Sequence, residues 1–246
     1  MRRGWSGLRL PASDLMRIFA LGVLGVAASN YFYYLAIQRT NVAIAIIVQY
    51  TAPVWVLLYM VTRGLQKLSL QRVISVAFAV TGISIAVGVG SGKLHLDSVG
   101  VAAALLAAFS FAFYSIGGHN LLKRYDHWIV LFYCMLGAAL FWILLNPPWK
   151  VVAAHYSAAQ WLFMLIFSTV SMLMPFSFYF AGLSHLDPTR AIIVSCLEPV
   201  FSIIIAVLVL NEILSPIQVV GIVLVLTAII VVQMPSRTSD EAKVVL

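Results

Sequence analysis

Eight runs of about twenty apolar residues, at 18–37, 42–62, 73–89, 99–116, 128–145, 161–183, 191–210 and 217–234, leave this chain few ways to fold. At about 1.5 Å of helical rise per residue, each run is long enough to cross the ~30 Å hydrocarbon core of a bilayer. No water reaches backbone N–H and C=O groups there, so a spanning segment must satisfy its own as a helix or join a closed barrel. Barrel strands need only ~9–11 residues, and these runs are twice that length. The reading is an all-α integral membrane protein with eight transmembrane helices. Composition agrees, since 63% hydrophobic and 9% charged over 246 residues lie far from the roughly 45–50% and 25% of soluble domains.

The runs are not independent. A constant offset of 146 residues lays Phe32-Tyr33 on Phe178-Tyr179, Ala45-Ile46-Ile47-Val48 on Ala191-Ile192-Ile193-Val194, Pro53-Val54 on Pro199-Val200, Leu68-Ser69 on Leu214-Ser215, and Thr81 on Thr227, without a gap. Such self-similarity in one register reads as an internal duplication. It includes the first run, which follows a basic segment but is too long for the apolar core of a signal peptide, so that run reads as a transmembrane helix.

Cap chemistry marks the helix starts. Asn41 and its mate Asp187 stand at N-cap positions, with Pro188 at the first helical place; Ser69 and Ser215 repeat the pattern, with Pro216 next. Asp97-Ser98 and Asp126 precede the fourth and fifth runs. Loop charges set the orientation. Arg2, Arg3, Arg9, Arg17, Arg63, Lys67, Arg72, Lys123, Arg124, Arg190, Arg237 and Lys243 fall on one side, and Arg39, Lys93 and Lys150 on the other. Twelve against three places both termini in the cytoplasm. The same placement explains the net charge of +7 without a nucleic-acid partner. With that topology the two copies enter the membrane from opposite sides, as in transporters built from inverted repeats, whose substrate sites lie near the midplane between the halves.

The segments YFYYLAIQRTNVAIAIIVQYTAPVWVLLY and FYFAGLSHLDPTRAIIVSCLEPVFSIIIAVLVLNEILS resemble the third and fourth helices of the two five-helix repeats of EamA-type transporters, in the drug/metabolite transporter superfamily. The resemblance implies a ten-helix bundle of two inverted halves that exports small metabolites across a bacterial plasma (inner) membrane. It divides the chain into a partial first repeat at 1–90, a second repeat at 97–234 and a cytoplasmic tail at 235–246. The second repeat has all five expected helices and the first has three, with Met1 where the family's second cytoplasmic loop would fall. A misassigned start, a shortened gene and a partner chain that supplies the missing wall each account for that. An acidic residue expected at the end of the fourth helix of each repeat is Glu212 in the second copy, with Gln66 at the matching place in the first.

Glu198 is the one charged residue within an apolar run, about midway along it. A charge at a helix centre costs ~2.5–3.5 kcal/mol on insertion scales and faces a bundle interior or a wet cavity. Ser195 and Ser202, three and four residues away, extend a polar stripe on the same helix. Two readings stand: contact with a proton or a substrate ammonium, or a hydrogen-bonded lock beside Pro199. Asn30, Tyr34 and Gln49 are the polar candidates of the symmetric half, with interhelical hydrogen bonding the favoured role. Tyr114 and Tyr179 are candidate cavity walls or packing residues. Pro53 and Pro199 remove backbone hydrogen bonds at equivalent mid-run positions and are candidate hinges. Gly22, Gly25 and the alanines of 102–108 suit close helix contact.

Cys134 and Cys196 both lie in apolar runs, which gives neither a disulfide framework nor a zinc site, and the histidines have no ligand spacing, so no metal or cofactor is expected. No G-x-x-x-x-G-K-[ST] loop is present to couple ATP. The expectation is a secondary transporter for amino acid or drug-like solutes, working by alternating access. Its partners are the bilayer and a small-molecule substrate. A non-transporting remnant, or a subunit of a homo- or hetero-oligomer, is the alternative. A membrane enzyme is disfavoured, because the runs offer one carboxyl with no histidine or aspartate beside it.

Overall fold

A computed structural model of the chain describes residues 10–87, 97–210 and 215–234. Every regular element among them is a helix. Among the described residues seven helices are long and apolar enough to cross a membrane: Ala12–Arg39, Val42–Thr62, Ser98–Leu122, His127–Leu145, Ala158–Leu183, Pro188–Ile205 and Pro216–Gln233. The expected run at 73–89 forms the shorter apolar helix Leu70–Ala86, capped at Ser69 and of 17 residues, and the last two residues of that run lie outside the described residues. A six-residue helix, Pro148–Ala153, was not legible in the sequence pattern.

Five expected caps, at Asn41, Ser69, Asp97, Asp126 and Ser215, fall where the sequence places them. The side chain of Asn41 accepts from Ile44 N–H, Ser69 from Arg72 N–H and Asp126 from Trp128 N–H. Ser215 forms a capping box with Gln218, and Pro188 and Pro216 each open their helix. Pairs related by the 146-residue offset share local structure. Helix starts at Ala12, Val42 and Leu70 match starts at Ala158, Pro188 and Pro216. A π-helical stretch at Leu21–Ala27 answers one at Thr169–Leu173. The helix of Val42–Thr62 is interrupted at Tyr50-Thr51, and that of Pro188–Ile205 at Cys196, the offset partner of Tyr50. Pro53 and Pro199 cause both breaks, because neither can donate to the carbonyl four residues back, at Gln49 and Ser195.

The chain forms two compact units, each assembled from early and late parts of the sequence. One draws on Met1–Tyr31 and Phe113–Asp187, the other on Phe32–Ala112 and Pro188–Leu246. In the first, residues 12–27 pack on His127–Leu145. Gly22 allows this: a Cβ there would collide with the backbone carbonyl of Cys134. Gly25 lies against Tyr114, whose Cβ would be 2.5 Å from an added methyl. Between lipid-solvated helices the driving force is this close van der Waals fit rather than release of water. At the end of the unit Asp14 is buried, accepting from the Tyr125 hydroxyl at 2.6 Å and from Arg17 at 3.2 Å, with Arg124 3.9 Å away. Donation to that carboxylate, and then desolvation, push the Tyr125 phenol above its ordinary value. A raised value means that the stabilisation is whole below about pH 10 and is lost as pH rises through the folded-state value. We expect Tyr125→Phe to lower the thermal midpoint in detergent at pH 8, and the gap from wild type to close above about pH 10.

In the second unit Leu70–Ala86 and Pro216–Gln233, which the offset makes mates, pack along their lengths. Their shared core joins Val76, Ala79 and Ile83 to Val225, Ala228 and Val232, with Tyr50, Leu57, Ile193, Cys196 and Val200 around it. Gln71 ties the end of the later helix by donating to Val231 O at 2.6 Å and Met234 O at 2.7 Å. Of the alanines of 102–108, Ala103, Ala104, Ala107 and Ala108 are buried and Ala102 is exposed.

Candidate functional site

Glu198 opens the second half of its interrupted span, as the second residue of Leu197–Leu210 rather than midway along one helix. Its Oε2 accepts from the Tyr50 hydroxyl at 2.8 Å. Tyr50 itself sits in the break of the equivalent span, so the contact joins the two proline-broken spans at their interruptions. The Tyr50 ring is buried among apolar residues while the Glu198 side chain is exposed. The Tyr33 ring stands 5.9 Å from that of Tyr34. A carboxylate held by one phenol hydroxyl keeps acceptor capacity for a second donor.

The expected stripe of Ser195, Glu198 and Ser202 does not form one surface of one helix. Ser195 ends the preceding helix and donates to Ala191 O at 3.1 Å, while Ser202 donates back to Glu198 O at 3.0 Å. The turn at Cys196 divides them. Asn30 likewise bonds within its own helix, its amide donating to Val26 O at 3.0 Å, rather than across helices as expected. Tyr34 stands one turn further along that helix and is exposed. Gln49 is the last residue before the Tyr50 break and is half-buried.

Tyr114 and Tyr179 come together in the other unit. Their rings stand 5.3 Å apart, edge to face, and the Tyr179 hydroxyl hydrogen-bonds Ser115 at 2.7 Å. Tyr114 also packs on Phe176 and Phe180 and is buried. Gln66, which replaces the expected acid, accepts from the buried Thr189 hydroxyl at 2.9 Å and so ties the connection after Val42–Thr62 to the helix Pro188–Ser195. Its mate Glu212 lies outside the described residues.

Sequence reasoning missed Tyr50. The available signal was its place three residues before Pro53, in the span paired with that of Glu198. A buried tyrosine needs a partner for its hydroxyl, and the nearby acid is the natural acceptor.

A model of the EamA-like transporter family matches residues 2–88 and 98–234. The threonine/homoserine exporter RhtA of Escherichia coli strain K12 is 27% identical over 243 residues, covering 96% of this chain and 77% of the relative. The inner membrane transporter YicL of Salmonella typhimurium is 22% identical, covering 93% and 76%. A transporter of Archaeoglobus fulgidus is 22% identical, covering 85% and 75%. A crystal structure at 21% identity covers 94% of this chain and 79% of its own with a TM-score of 0.76, a likeness of fold. Match and relatives agree with the apolar helices, and the chain is a multi-pass membrane protein of the EamA-like transporter family.

Proposed function

We propose that this chain exports small organic metabolites, amino acids or drug-like solutes, by alternating access between two inverted repeats. In this reading the eight apolar helices comprise three of a first repeat, at 1–90, and five of a second, at 97–234, with both termini in the cytoplasm of a bacterial inner membrane. The observation that carries it is the Tyr50–Glu198 hydrogen bond at 2.8 Å between the paired helix breaks. A membrane-embedded carboxylate is expensive unless it is used or partnered, and here one partner is a hydroxyl that can be given up. The identity of RhtA as a threonine/homoserine exporter supports an amino acid among the substrates.

The chemistry follows from the strength of that bond. A hydrogen bond to a charged acceptor contributes ~1.5–3 kcal/mol and one to a neutral acceptor ~0.5–1.5. A substrate ammonium or a proton that neutralises Glu198 therefore weakens its hold on Tyr50 by roughly 1–2 kcal/mol. Since ~1.4 kcal/mol is tenfold in a two-state equilibrium, that is enough to change which conformation dominates, with the proline breaks as hinges. Proteoliposomes loaded with labelled threonine, homoserine or other small amino acids should release them through the wild type. Glu198→Gln should slow that release about tenfold or more. Absence of flux for every solute, or full flux through Glu198→Gln, would remove this reading.

A further inference from the structure

The connection between Val42–Thr62 and Leu70–Ala86, with the first turn that follows it, carries three cations and no acid. They are Arg63, Lys67 and Arg72, and the sequence has no Asp or Glu between Asp14 and Asp97. Among the described residues no carboxylate forms an ion pair with any of the three, whereas Arg17 and Arg124 share Asp14. Like charges crowded into one short connection repel, and an anion that joins them relieves the repulsion.

The backbone holds this cluster in a fixed shape. Gly64 takes the left-handed conformation at φ 67°, and Leu65 and Gln66 both donate to Met60 O, so the chain leaves its helix by a hydrogen-bonded turn. On the other side Ser69 caps the next helix. Arg72 Nη1 donates to Lys67 O at 2.8 Å, which folds the guanidinium back over the connection to the residue that bears the second cation. A guanidinium has five N–H donors, so this bond leaves Arg72 donors for an anion. Arg63 stands over the Tyr59 ring, 6.0 Å from its centroid.

Leucines are interleaved with the cations. Leu65, Leu68 and Leu70 are 56%, 64% and 75% exposed. A soluble anion would answer the charges and leave the leucines in water; hydrocarbon would cover the leucines and leave the charges unanswered. The headgroup level of a bilayer supplies phosphate and acyl chain together. The connection lies at that level, because one apolar helix ends at Thr62 and the next begins at Leu70.

We infer that Arg63, Lys67 and Arg72 form a binding site for the phosphate of an anionic phospholipid, with Leu65, Leu68 and Leu70 seated among its first acyl carbons. Gln66 lies within the same connection and accepts from Thr189, so a lipid bound here bears on the contact that ties Val42–Thr62 to the start of Pro188–Ile205. The inference rests on this connection and needs neither the Glu198 reading nor the orientation of the chain.

Native mass spectrometry of the full chain in detergent tests it, with phosphatidylglycerol and phosphatidylcholine of the same acyl chains titrated in turn. Each cation near an anionic headgroup is worth roughly fivefold in affinity, so the wild type should hold phosphatidylglycerol about tenfold or more tightly than phosphatidylcholine. Lys67→Gln should weaken that hold roughly fivefold, and Arg63→Gln combined with Lys67→Gln roughly twenty-five-fold. Both side chains are exposed, and an unchanged thermal midpoint without lipid checks that the variants fold. Lys123→Gln, the same change of charge at another helix end, should leave the preference intact. Glycerol phosphate, which offers the phosphate without acyl chains, should not displace the lipid at equal concentration. Equal retention of the two lipids, an equal loss in Lys123→Gln, or displacement by glycerol phosphate overturns the inference.

Discussion

Replacing Gly221 by valine is expected to separate Leu70–Ala86 from Pro216–Gln233 and give the largest loss of stability of any single substitution in the second unit. A Cβ on Gly221 would lie 2.6 Å from Gly82 O and 2.8 Å from Ala86 Cα, and closer still to Ala86 N. These are backbone atoms, so no rotamer change relieves the collision and the helices themselves must part. Overpacking in a well-fitted interior costs ~1–3 kcal/mol, occasionally more. Opposing it, alanine in place of a helical glycine gains up to ~1 kcal/mol of propensity, and valine gains less. The steric term wins for both. The contrast is Gly182, where an added Cβ meets nothing within 4 Å. Gly182→Ala should therefore raise the thermal midpoint in detergent, Gly221→Ala should lower it, and Gly221→Val should lower it further. If Gly221→Ala were as stable as wild type, the close approach of the two helices would be wrong.

This contact illustrates what could be read beforehand. Span existence and helix starts were legible, because hydropathy sets the first and a capping residue such as Asn41, Ser69 or Ser215 sets the second. The duplication was legible for the same reason: Ser69 and Ser215, or Pro53 and Pro199, are punctuation that survives when apolar residues are exchanged. The π-helical stretches were not. An i→i+5 turn demands no particular side chain, and Leu21–Ala27 reads as any other apolar segment. Nor did the order of the sequence reveal that Ala12–Arg39 and Ser98–Leu122 would each serve both compact units. At the site, Glu198 announced itself by its charge in an apolar run. Tyr50 did not, since a tyrosine among isoleucines and valines has the same signature whether its hydroxyl binds an acid or only its ring packs. The serines near Glu198 and the amide of Asn30 satisfied themselves on their own helices, an outcome always open to short polar side chains.

Glu198→Gln should fold at least as well as the wild type and transport far worse. The carboxylate carries the ~2.5–3.5 kcal/mol cost of a charge in the membrane interior, and a glutamine of the same shape still accepts from Tyr50 while relieving that cost. Its amide neither binds a proton at working pH nor attracts an ammonium, so the chemical event that loosens Tyr50 is gone. Tyr50→Phe acts the other way. It leaves Glu198 charged with one donor fewer, which should destabilise the protein by ~1–3 kcal/mol. In the double variant the cost of losing the hydroxyl shrinks, because a neutral amide needs it less. The coupling energy of the cycle should fall within ~0.5–3 kcal/mol. Thermal unfolding in detergent and solute flux in proteoliposomes, measured on all four proteins, separate the two roles of the acid. A stable Glu198→Gln with flux down about tenfold or more assigns the carboxylate to transport. A Glu198→Gln that loses stability in step with flux assigns it to holding the two broken helices together, and transport must then be sought elsewhere in the fold.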